Sequence, residues 1–273
     1  MSTAWLAQAR THRSRRSKSL ATHSDYRHDD RRARRRSLGI RGDQHLHREL
    51  HVLPAKAGKP SAPSPLSYTE KLTATGTNGN RTAVLTDIKT KVYGIVGDGK
   101  DFPTCSPSKI EAADSDTVCP TGAKVATGAI TAVIGNAANF KLPGSPCDPE
   151  LHVWNGGQGK LVLFFVDTPT HACPPLVTGA VPPFPATYKV VGKYLVMDTP
   201  IPKYVSFPLT GLAGSLTGEN LNWLRVTTKV HGRTAAASAS VACLHGQRPY
   251  SVTYTATQNG APEVDTVSNK AHC

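Results

Sequence analysis

The sequence predicts an all-β fold: an antiparallel β-sandwich of seven to ten strands with one short helix, preceded by a disordered basic tail. Three observations lead there. Val, Ile, Thr and aromatic residues recur at period two in short segments, Gly and Pro punctuate those segments, and no 12-residue window carries a helical period. All six cysteines, Cys105, Cys119, Cys147, Cys173, Cys243 and Cys273, lie in the β-like part, and none forms a CxxC pair. An even set of this kind reads as a disulfide framework formed outside the reducing cytosol.

The tail is set apart by its charge. Residues 1–60 hold 15 Lys and Arg against 5 Asp and Glu, whereas residues 61–273 hold 17 against 14. The high pI therefore belongs to the tail, and the nearly neutral remainder has little charge with which to hold nucleic acid. Clusters such as Arg31, Arg32, Arg34, Arg35 and Arg36 bury too little apolar area to offset the entropy of ordering. We read residues 1–53 as the product of a misassigned start or a frameshift; a disordered tail and a nucleic-acid-binding arm are the alternatives. A twin-arginine export signal needs an apolar stretch after its arginines, and Ser37 to Leu53 carries Arg41, Asp43, His45, His47, Arg48 and Glu49 instead. The Pro, Ala and Ser-rich stretch up to Pro65 reads as a linker. The expected division is thus residues 1–65 for tail and linker and residues 66–273 for the folded domain.

Within that domain a strand is expected over Ser67–Thr75. It should pair with Val84–Val92, where Val84, Thr86, Ile88, Thr90 and Val92 alternate with other residues, through a turn at Asn78, Gly79 and Asn80. After Cys105, Ser106 is placed to cap a short helix with Pro107 at its first position and Ile110 facing inward. Ala123–Ile134 reads as a strand with a bend or close approach at Gly128. Leu151–Trp154 and Leu161–Val166 form the clearest hairpin, and the unbroken apolar run of the second implies a central strand covered on both faces. The Pro-rich stretch between Pro169 and Pro185 must leave the sheet, since proline lacks a ladder donor. Strands follow at Tyr188–Met197, Asn222–Val230 and Tyr250–Thr257, the last with Tyr250, Val252, Tyr254 and Ala256 on one face.

No motif specifies catalysis, a cofactor or a metal. Gly156, Gly157, Gln158, Gly159 and Lys160 lack phosphate-loop spacing and precede a strand, so a hairpin turn is the better reading. Ser215 sits in a Gly-rich segment without a GxSxG setting. His152, His171, His231, His245 and His272 have no metal-site spacing; His171 with Cys173 and Cys243 with His245 are zinc half-sites only if those cysteines are reduced. Asp148 with Glu150, and Asp167 with Asp198, are candidate carboxylate pairs for glycoside hydrolysis, although acids that keep strand ends solvated explain them equally. Asn80, Arg81 and Thr82 form a sequon suited to an exposed turn. Trp154, Trp223, Tyr188 and Tyr194 suggest a carbohydrate or lipid platform, against the commoner role of aromatics at strand period as core. No run of 18 apolar residues is present, so no membrane-spanning helix is expected.

The segments FPTCSPSKI, VCPTGAKVATGAITAV, LHVWNGGQGKLVLFFV and CLHGQRPYSVTYTAT resemble a group of uncharacterised exported proteins of high-GC actinobacteria. The likeness spans roughly Leu66 to Thr257 and implies an exported β-rich domain of no stated activity, with Cys105 and Cys119 in one motif. Among the 15 connectivities open to six cysteines, neighbours are expected to pair: Cys105 with Cys119, Cys147 with Cys173, and Cys243 with Cys273. The expected function is a non-catalytic secreted or cell-envelope module, structural or ligand-binding, with a cell-envelope component or a protein as partner. A secreted glycosidase-like hydrolase and a basic-tailed nucleic-acid binder are the alternatives.

Overall fold

Period-two alternation turns one face of each strand inward, and here the strands close that face on itself. The computed structural model describes residues 44–53, 57–174, 177, 181–258 and 260–273. The disorder expected for residues 1–43 concerns residues outside this set. In chain order the strands are β1 (Gln44–Leu53), β2 (Ser64–Pro65), β3 (Ser67–Gly76), β4 (Val84–Tyr93), β5 (Ile95–Gly97), β6 (Lys124–Asn136), β7 (Ser145–Cys147), β8 (Glu150–Gly157) and β9 (Lys160–Val166). They continue with β10 (Phe184–Val191), β11 (Tyr194–Pro200), β12 (Leu212–Trp223), β13 (Thr227–Val230), β14 (Arg233–Ala236), β15 (Ser238–Ser240), β16 (Gln247–Gln258) and β17 (Ala261–His272).

Eleven of these strands form one antiparallel sheet in the order β1-β3-β12-β6-β8-β9-β10-β11-β4-β16-β17, with β7 added beside β6. The two end strands, β1 and β17, come back against each other. The result is a near-closed barrel, which corrects the expected sandwich of seven to ten strands. Strands of 12 and 13 residues such as β6, β12, β16 and β17 accumulate more twist and coil than sandwich strands do. The ladder is also bent by irregularities between Leu216 and Gly218, Thr255 and Ala256, Lys124 and Ala126, and Asn155 and Gly157.

The folded part begins well before Leu66. Residues 44–53, assigned to the tail from sequence, pair with β3 along their whole length, from Gln44 opposite Gly76 to Leu53 opposite Ser67. Arg48, Leu50 and Val52 of β1 are buried, while His45, His47, Glu49 and His51 are exposed. The expected pairing of Ser67–Thr75 with Val84–Val92 does not form. β3 lies between β1 and β12, whereas β4 lies between β11 and β16.

Other expectations are met element by element. The helix Pro107–Ala113 follows Cys105; Ser106 accepts the Lys109 amide at its N-terminus, and Ile110 is fully buried. β8 and β9 form the expected hairpin, with Leu161, Val162 and Leu163 buried on both faces near the middle of the sheet. At Gly128 a Cβ would collide with the Asn220 carbonyl of β12, so close approach of the backbones demands glycine. On β16 Tyr250, Val252, Tyr254 and Ala256 share the buried face. Two boundaries move: Tyr188–Met197 is split into the β10–β11 hairpin at Gly192 (φ 61°), and β12 ends at Trp223 before β13 starts at Thr227.

All three neighbour disulfides, Cys105–Cys119, Cys147–Cys173 and Cys243–Cys273, are present, with Cα separations of 5.4, 4.0 and 6.1 Å. The first closes the helical excursion over Trp154 and Val162, and the third ties the segment before β16 to the end of β17. The second fastens the Pro-rich segment after β9 to β7. No helix among the described residues is long and apolar enough to cross a membrane.

Candidate functional site

The bulge in β12 decides what faces the barrel interior. Gly214 and Leu216 point inward before it, and Glu219, Leu221 and Trp223 after it, because one extra residue shifts the alternation. Glu219 is thereby brought inside, where Arg48 of β1 and Glu70 of β3 also point. The Arg48 guanidinium donates to Glu70 Oε2, donates to Tyr254 Oη at 2.8 Å, and lies 3.5 Å from Glu219 Oε1. The side chains of Arg48, Glu70 and Glu219 are 4%, 3% and 9% exposed.

Burial sets the protonation of this cluster. It pushes the Glu219 carboxyl up, with Arg48 opposing and Glu70 adding to the rise. For Arg48 burial acts to lower the value, but Glu70, Glu219 and Tyr254 outweigh it and hold the guanidinium well above its ordinary value. Burial likewise raises the Tyr254 and Tyr68 hydroxyls. Two polar atoms in the same region have no hydrogen-bond partner among the described residues: Glu70 Oε1, an acceptor, and Trp223 Nε1, a donor.

Three cavities run through the interior and share walls. The largest of the three, about 130 Å³, is bordered by Cys147, Cys173 and Val177 and lined by apolar side chains such as Ile88, Ile130, Ile134, Phe165, Phe184 and Leu216. Its polar exceptions are Ser206, whose hydroxyl donates to the Leu85 carbonyl at 2.7 Å, and Glu219. A second cavity of about 70 Å³ is lined by Arg48, Glu70, Glu219, Thr90, Thr199 and Trp223. Ile88 and Glu219 line both of these cavities. A third, about 30 Å³, lies beyond Trp223 against Tyr68, Tyr188 and Asn155, and Leu161, Met197 and Trp223 are shared with the second.

A second polar cluster sits outside the barrel beneath the helical excursion. His152 Nδ1 is 2.5 Å from Asp116 Oδ2, its Nε2 is 3.3 Å from Glu150 Oε2, and Trp154 Nε1 donates to Asp116 at 3.1 Å. Lys124 Nζ stands 4.9 Å over the Trp154 ring. Burial acts to raise the Asp116 carboxyl, but His152, Lys124 and Trp154 hold it below its ordinary value. The group anchors the excursion to β8, a structural task. Among the described residues no group of three or more His, Cys, Asp or Glu side chains is placed to hold a metal ion.

The residues singled out from sequence are scattered. Asp148 accepts from the Ala132 amide at 3.2 Å, Asp167 from the Cys173 amide at 3.1 Å, and Glu150 faces His152. Asp198 pairs with Lys89 at 3.2 Å, and its nearby carboxyl, after burial, pushes Asp87 up. Ser215 is fully buried and accepts from Arg81 at 3.3 Å. His231 and His245 occupy turns with positive φ. The sequon is not an open turn, since Asn80 Oδ1 is buried and Thr82 donates to the Leu216 carbonyl at 2.7 Å. The four aromatics form no platform: Trp154 is buried under the excursion, Tyr194 meets Tyr93 edge-on outside, and Trp223 stacks on Tyr68 inside at 5.2 Å.

Sequence reasoning missed Arg48, Glu70 and Glu219. A signal existed for Glu70, which shares its phase with Tyr68, Leu72 and Ala74 and so had to face the core. The bulge hid the phase of Glu219. No family model and no curated protein matches the chain.

Proposed function

We propose that this chain is an exported or cell-envelope binding module, without catalytic role, that takes up a small apolar molecule inside its barrel. One observation carries the reading: the cavity of about 130 Å³ beside the Cys147–Cys173 disulfide, whose walls are almost wholly apolar. Apolar cavities of about 150 Å³ in other proteins stay dry and take up benzene-sized molecules, so the space suits a single ring or a short branched chain. Export is supported by three disulfides with no free cysteine. The carboxylate pairs that prompted the hydrolase alternative are occupied in main-chain and ion-pair contacts, which favours a binder over a hydrolase.

Toluene tests the proposal. Saturation-transfer NMR should show transfer from the protein to toluene, and Ala132→Phe, which places a ring in the cavity, should abolish it while the melting temperature is kept. An absence of transfer to the wild-type protein, or equal transfer with Ala132→Phe, overturns the reading.

A further inference from the structure

We infer that the molecule taken up is an apolar alcohol, its hydroxyl held in the 70 Å³ cavity between Glu70 and Trp223 and its hydrocarbon body in the 130 Å³ cavity. This rests on the binding function proposed above and names the ligand class for that site. The two cavities lie side by side with Ile88 and Glu219 in the walls of both, so a molecule that turns these two side chains aside reaches from the apolar space into the polar one.

The polar space asks for one acceptor and one donor. Trp223 Nε1 is a buried donor and Glu70 Oε1 a buried acceptor, both without a partner among the described residues. Trp223 and Glu70 are 8% and 2% exposed and line the same cavity. Their strands are adjacent, with Leu221 opposite Glu70 and Trp223 opposite Tyr68, so the two side chains are diagonal neighbours on the inner face. Diagonal positions lie about 7–8 Å apart, within reach of one bridging group between long side chains. Leaving both atoms bare is unfavourable, because each has given up its hydrogen bonds to water.

A hydroxyl fits both, accepting from the indole and donating to the carboxylate. An ammonium carries only donors and leaves Trp223 Nε1 bare. A carboxylate carries only acceptors and would bring a second anion against Glu70. Arg48 already turns its guanidinium to Glu70, Glu219 and Tyr254, so a third carboxylate would compete with two that are in place. A volume of 70 Å³ also accepts a CH₂OH head, since a water molecule's share of the liquid is about 30 Å³.

Four probes of one shape decide between these heads: toluene, benzyl alcohol, benzylamine and benzoate, titrated into the wild-type protein by calorimetry. Benzyl alcohol should bind at least tenfold more tightly than the other three. Trp223→Phe, which keeps a ring against Tyr68 and removes the indole N–H, should bring benzyl alcohol within about threefold of toluene while toluene itself is little affected. A purely structural role for Trp223 would weaken both probes alike and overturn the assignment. Toluene equal to benzyl alcohol overturns it too, while leaving the apolar binding function in place. So does a preference for benzylamine or benzoate. Binding of none of the four removes the underlying function as well. If Trp223→Phe does not fold, the ranking on the wild-type protein decides alone.

Discussion

Tyr250 Oη donates a 2.9 Å hydrogen bond to the main-chain carbonyl of Arg48. The bond crosses the seam where β1 and β17 meet, reaching from β16 to β1. No strand ladder joins the two end strands. Side chains therefore close the barrel: Tyr250 on the Arg48 carbonyl, Tyr254 on the Arg48 guanidinium, and Gln44 accepting from the Ala83 amide at 3.2 Å. Tyr250 and Tyr254 stand four residues apart on β16, hence on one face, and together they grip a single residue of β1.

Tyr250→Phe removes one of these bonds and keeps the ring. It should cost about 1–3 kcal/mol, the usual penalty for stripping a buried carbonyl of its donor. Hydrogen exchange should localise the loss, with β1 amides exchanging faster and β6 and β12 amides little changed. Uniform acceleration across the sheet would show that the seam is not a local weak point.

A chain beginning at Ala62 lacks β1 altogether. Its loss leaves Glu70 and Glu219 in the interior with no cation and strips β3 of a complete ladder. Removing one partner of a buried ion pair alone costs about 3–5 kcal/mol, so this chain should be unfolded or molten by near-UV circular dichroism, whereas one beginning at Asp43 should melt like the full chain. Equal melting of the two truncated chains would overturn the role given to β1.

That strand shows where sequence reading stops. β16 is legible because its alternation is apolar against polar, and period two then leaves one answer. β1 alternates just as strictly, but one of its inward residues is Arg48, and the arginine-rich stretch before it hides the pattern. A buried charge becomes readable only with its partners, and Glu70 and Glu219 lie 22 and 171 positions away. Barrel and sandwich share the same alternation; closure depends on twist and on bulges such as that between Leu216 and Gly218, which no composition records.

Glu219→Gln separates burial from charge. Arg48, Glu70 and Tyr254 are the ionisable groups that face Glu219, and on balance burial raises its carboxyl above the ordinary 4.5. The folded state thus holds this proton more firmly than the unfolded chain. Stability from Glu219 is complete below its unfolded value and is lost as the pH rises through the folded one. Gln cannot ionise, so the variant should melt above the wild-type protein at pH 8, and the difference should close below pH 4. A variant less stable at pH 8 would mean that attraction to Arg48 outweighs burial.

The Cys147–Cys173 bond stands in the wall of the 130 Å³ cavity, which both cysteines line together with Val177. Replacing both with alanine releases a loop closed over a separation of 26 residues, worth about 3.5 kcal/mol by loop entropy if the bond is unstrained. The loss should fall on the contacts around Cys173 and Val177 before it reaches the sheet, since β6, β8 and β9 keep their ladders without the bond. Below the melting transition the variant should therefore exchange toluene faster, in both association and dissociation, by NMR line shape. Affinity should change far less than rate, since most of the apolar walls belong to the sheet. An exchange rate equal to that of the wild-type protein would mean that the ligand enters elsewhere, and the seam between β1 and β17, with its groove of about 350 Å³ along Leu50, Tyr250 and Ala271, would be the route to test next.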